Sequence, residues 1–140
     1  MSPAIEIDRS QGNLIVVRFL RGPTDEEFQQ YLADYTPVLL SEARMGAVFV
    51  TAPGMPLTPA RQARLQARFM KQHREQIEAR VVGIAFALAT PLMRGVLRGI
   101  LVLQSIPCPH TVVATESEGV SWVKARLWTD KVRRTTEPLR

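Results

Sequence analysis

The chain has 140 residues and a mass of 15.7 kDa, the size of one domain with a single core. Hydrophobic residues make up 46% and charged residues 22%, a globular balance that excludes an intrinsically disordered chain. The net charge of +5 is unevenly placed: residues 1–60 hold four Lys/Arg against seven Asp/Glu, net −3, while residues 61–123 (eight against four) and 124–140 (six against two) each carry +4. A basic field of this kind draws nucleic acid, anionic lipid or an acidic protein surface, and composition does not choose among them.

Met1 to Pro3 show no secretory pattern, the most apolar stretch (Gly95 to Ile106) is too short to span a bilayer and carries Arg98, and the lone Cys108 forms no internal disulfide. A cytoplasmic protein is the expectation.

In chain order, Ile5 to Asp8 and Asn13 to Leu20 (NLIVVRFL) read as two antiparallel strands joined by a turn over Ser10, Gln11, Gly12 and Asn13. Gly22-Pro23 ends the second, and Thr24 with Glu27 three residues on reads as a capping box. The helix it opens carries an apolar stripe of Phe28, Tyr31, Leu32, Tyr35, Val38 and Leu39, with a kink or break expected at Pro37. Met45 to Thr51 (MGAVFVT) has the length and apolarity of a buried strand.

After the loop Ala52-Pro53-Gly54-Met55-Pro56-Leu57, Thr58 as N-cap and Pro59 at the first helical position predict a second helix running to about Arg80. Val81 to Ala89 (VVGIAFALA) predicts a central strand in which Gly83 permits close backbone approach. Thr90-Pro91 repeats the hydroxyl-proline start for a third helix to about Gln104. His110 to Thr115 reads as a last strand and Ser117 to Trp128 as a final helix, leaving 129–140 as a basic, flexible tail. The expected order is ββαβαβαβα: an α/β domain over 1–128 with a mixed sheet of about five strands and about four helices.

That order, with its opening hairpin, proline-started second helix and central strand VVGIAFALA, resembles the STAS (SpoIIAA-like) domain of anti-sigma factor antagonists over roughly Ala4 to Trp128. The resemblance implies a bacterial regulatory signalling module that is not an enzyme and that binds a protein partner, itself, or both. It also implies a phosphorylated Ser or Thr in the loop before the second helix. Here that loop, Thr51 to Thr58, holds neither an acidic residue nor a serine; Thr58 is the hydroxyl best placed for the role, but its N-cap duty explains it without any regulation and is the favoured reading.

Two helices carry the features suited to partner binding. On the second, Arg61, Arg64, Arg68 and Lys71 share one face at spacings of three and four, a docking ridge for an acidic partner or an ordinary solvated face. On the third, Met93, Val96, Leu97 and Ile100 belong to an apolar surface that nearly encircles the helix, with Arg94 and Arg98 at its rim and Gly95 and Gly99 four apart. Such a helix is buried deeply under the final helix and the tail, or forms a homodimer or partner groove. With Met55 and Leu57 of the loop these residues form the expected contact surface, and Leu97→Asp is the substitution expected to disrupt it.

His73, Cys108 and His110 lack the ligand number and spacing of a zinc site, and no phosphate loop, dinucleotide fingerprint or serine elbow is present. No cofactor and no metal are expected. The scarcity of aromatics, with none alternating with basic residues, argues against nucleic-acid binding. Binding of a small ligand or lipid in a cleft beside the third helix is the alternative function, and salt-sensitive electrostatic binding of nucleic acid is the weaker one.

Overall fold

The computed structural model describes residues 3–41, 44–55 and 58–136. Strands β1 (Ile5–Gln11), β2 (Leu14–Phe19), β3 (Met45–Thr51), β4 (Val81–Leu88) and β5 (His110–Val113) form one sheet in chain order. β1 runs antiparallel to β2, with Ile7 opposite Val17, and the other pairs are parallel, with Val16 opposite Val48 and Ile84 opposite His110. The helices are α1 (Asp25–Ser41), α2 (Ala60–Gln72), α3 (Arg74–Arg80), α4 (Pro91–Leu103) and α5 (Glu116–Thr136).

Each parallel step moves one strand further in the same direction, so right-handed crossovers put α1, α2, α3 and α4 on one face of the sheet. Alternation along the strands then divides the core. Ile15, Val17, Ala47 and Ile84 meet Tyr31, Tyr35, Phe69 and Ile77 on the α1 to α3 side. Leu14, Val16, Val48 and Ala85 meet Val123 of α5 on the other. The closeness of α5 depends on glycine: a β-carbon on Gly46 would lie 2.3 Å from Val123 Cγ1, and one on Gly83 would lie 2.8 Å from the Trp122 ring.

Several sequence expectations hold at residue level. The Thr24–Glu27 capping box forms with both bonds, 2.9 and 3.1 Å, and Arg21 grips the same glutamate. The Thr90 hydroxyl accepts from the Met93 N–H at 3.2 Å and so caps α4, with Pro91 at the helix start.

Others are corrected. Helix α1 continues through Pro37 without a break: Ala33, whose carbonyl loses its helical partner, and Pro37 both lie on the exposed side, where that carbonyl is open to solvent. The expected second helix is two: at His73 the chain leaves helical geometry (φ −109°, ψ 19°), and its imidazole packs on Phe69 with centroids 4.6 Å apart. This makes five helices rather than four.

Thr58 is not the N-cap of α2. Pro59, extended at ψ 148°, occupies that position, and no side-chain hydrogen bond caps the helix. The last helix outruns its expected end at Trp128, so that 129–136 are helical and not a loose tail. Asp130, only 4% exposed, anchors that extension: it pairs with Arg44, which also donates to the Ala79 carbonyl at 2.6 Å, and with Arg134 at 2.9 Å. Residues 137–140 lie outside the described residues.

Candidate functional site

The expected contact residues separate into two surfaces. The first is α4, which buries none of its residues fully. Met93, Arg94, Val96, Leu97 and Leu101 are half-buried, and Arg94 is tied back to the Leu88 carbonyl at 2.8 Å. The outer side holds Leu92, Ile100, Val102 and Leu103, exposed by 76, 46, 84 and 86%. Gly95 and Gly99 lie between them, and a β-carbon built on either would meet nothing within 4 Å. Deep burial beneath the final helix, one of the two expectations for this segment, is therefore ruled out: α5 packs across the sheet from it.

The geometry has a simple cause. Strand β5 is the sheet edge and only four residues long, so the helix leading to it has no neighbour on its outer side. From Pro91 to Thr115 there is no Asp or Glu, which leaves Arg94 and Arg98 as the charges of the whole segment. Met55 is half-buried, Thr58 is exposed, and Leu57 lies outside the described residues.

The second surface is the arginine ridge. The structure brings Arg61, Arg64 and Arg68 together around a groove of about 300 Å³ between α1 and α2, which Leu65 and Gln29 complete. Gln29 was not legible as a member, since it comes from a different helix. Lys71 is exposed and lies beyond the groove, and the neighbouring Arg74 pairs with Glu78 at 3.1 Å. The start of α2 is held against the start of α1 by Gln62, 2% exposed, whose amide donates to the Pro23 carbonyl at 2.9 Å and to Asp25 at 3.2 Å. A larger groove of about 470 Å³ lies at the opposite sheet edge, between β1 and α1, lined among others by Ile5, Ile7, Tyr31 and Val38.

Cys108 and His110 do not form a nucleophile pair. The His110 ring nitrogen Nδ1 donates to the Cys108 backbone carbonyl at 3.0 Å, and burial pushes the thiol up to about 12, far from a reactive thiolate. Among the described residues no helix is long and apolar enough to cross a membrane, and no His, Cys, Asp or Glu cluster has the geometry of a metal site.

A mixed five-stranded sheet, a hairpin start and three helical crossovers on one face define a SpoIIAA-like α/β domain, and the chain has that fold. A solved structure that it resembles is an uncharacterized protein of the DUF3478 family from Shewanella loihica, described as having a SpoIIAA-like fold. The two align with a TM-score of 0.57 over 86% of this chain and 92% of that one, at 18% identity, a likeness of fold alone. The sequence matches no protein-family model and no curated protein.

Proposed function

We propose that this chain is a non-catalytic regulatory module that captures another protein on the outer face of α4. The observation carrying this reading is the exposure of Leu92, Val102 and Leu103 by three quarters or more on a capped helix of thirteen residues. Large apolar side chains gathered on one helix are costly to leave in water, and each would contribute about 1.5 to 3 kcal/mol on burial in a complex. Helix-in-groove recognition is the matching mode, with Gly95 and Gly99 admitting a partner backbone closely.

Charge selects the kind of partner. A second copy packed on this face would bring arginines towards arginines in a segment without acids, whereas a partner with an apolar stripe bordered by Asp or Glu complements it. Leu97 is half-buried and its replacement would also disturb the helix seat, so Leu103→Asp is the cleaner probe.

The test compares wild type with Leu103→Asp and the solvent-face control Lys124→Asp in affinity purification from the native cell, with sedimentation and native mass spectrometry of the purified chains. A stoichiometric partner lost only with Leu103→Asp, at unchanged melting temperature, is the expected result. Retention of the same partners by the folded Leu103→Asp chain would sink the reading. A wild-type homodimer abolished by the substitution would replace the partner with a second copy, and a bound small molecule would replace it with the ligand-binding alternative.

A further inference from the structure

We propose that Arg61, Arg64 and Arg68, with Gln29, form a binding site for a phosphate monoester in the groove between α1 and α2. The site is remote in sequence from α4 and does not depend on what docks there.

Three guanidiniums line one groove at positions i, i+3 and i+7 of α2. Among the described residues one carboxylate reaches them, Asp25, at 3.5 Å from Arg61. Among the described residues Arg64 and Arg68 have no acidic partner, so the groove holds an excess of two positive charges. Like charges on one helix face repel, and among the described residues Asp25 offsets only the charge of Arg61. A phosphate dianion offsets the other two, matching both the charge and the planar forks that bind oxyanions in pairs of parallel hydrogen bonds.

The groove is also built rather than incidental. Gln62 fixes the spacing of the two helices through two partly buried hydrogen bonds, and the buried Phe69, two turns further on, holds α2 down. The arginines therefore project from a positioned backbone. About 300 Å³ exceeds what a bare phosphate fills, and Leu65 supplies an apolar wall beside the charges. An esterified phosphate, with carbon on one side, uses both. Gln29 adds an amide that can donate to a phosphoryl oxygen from the facing helix.

The monoester could be carried by a metabolite or by a phosphorylated side chain, and the two are separable. Glycerol phosphate and a capped phosphoserine peptide would each be titrated into isotopically labelled protein at physiological salt, following the arginine Nε–Hε resonances, with the unphosphorylated peptide as control. Saturable shifts of Arg61, Arg64 and Arg68, weakened at least tenfold in Arg64→Gln/Arg68→Gln, are expected. The tighter of the two probes identifies the source. Non-saturating shifts shared equally with Arg94, Arg98, Arg133 and Arg134, or undiminished binding by the double variant, would overturn the site. Because both arginines are exposed, the double variant should melt as wild type does, and that is checked in parallel.

Discussion

Helices α5 and α4 flank the same parallel sheet, and glycine matters to both, yet the two are opposites in packing. Under α5, Gly46 and Gly83 of the sheet leave no room for a methyl group, and Gly119 of the helix itself would place one 2.9 Å from Val48. On α4, Gly95 and Gly99 face open space. Glycine at α5 is spent on intramolecular fit. On α4 it weakens a helix by roughly 1 kcal/mol per residue relative to alanine, with no contact inside the chain to justify it. That difference is the physical reason to regard α5 as scaffold and α4 as a face kept for something else.

The sharpest way to break the comparison is at Gly46. Its added β-carbon would overlap a side chain 0% exposed, between a central strand and a helix that cannot both move aside. Gly46→Ala should therefore cost about 3 kcal/mol or more, seen as a midpoint shift in urea denaturation. A midpoint equal to that of wild type would mean that α5 does not sit against the sheet as described.

A smaller effect probes the far end of α5. Asp130→Asn removes the charge that faces Arg44, Arg133 and Arg134 and should cost about 1 to 2 kcal/mol. The pH dependence carries the sign. Arg44 holds the Asp130 carboxyl below its usual value, a hydrogen bond from Arg21 lowers Glu27 to about 2, and hydrogen bonds from Ser10 lower Asp8 to about 2. Groups depressed in the folded state stabilise it fully above their unfolded values, and the contribution disappears as pH falls through the folded ones. Thermal melts should thus decline between about pH 4.5 and 2, where these carboxylates titrate. Asp130→Asn should flatten that decline; an unchanged slope would remove Asp130 as an anchor.

The contrast also explains what the sequence could disclose. Strands β3 and β4 were readable because a continuous apolar run bounded by turn or proline signals leaves few other structures. The exposure of α4 was readable as an excess: apolar residues around the whole circumference exceed what one sheet face covers. Thr58-Pro59 and Thr90-Pro91 look alike, yet only the second caps, since the difference lies in the backbone angles after the loop and not in residue type. The break at His73 has no glycine or proline to announce it. The run from Thr129 to Thr136 is polar and basic, and its helicity rests on Arg44, distant in the chain, so local pattern gave it the appearance of a tail. For the same reason the arginine ridge was visible as a ridge but not as a groove, which needs Gln29 from α1.

The smallest effect tests the comparison most directly, because its sign should invert between stability and binding. Gly95 and Gly99 have ordinary helical backbone angles, with positive φ confined to Gly12 and Gly54 among the described residues, and a methyl group on either meets no neighbour. Alanine there removes backbone freedom from the unfolded chain and collides with nothing, so each substitution should raise stability by up to about 1 kcal/mol. If the bare backbone at these positions admits a partner, the same two methyl groups hold that partner off and the double variant should bind more weakly while melting higher. Higher melting with undiminished capture would show that the partner touches only the leucine side chains. Lower melting would mean that α4 packs on its own chain after all, and the distinction between the two helices would fail.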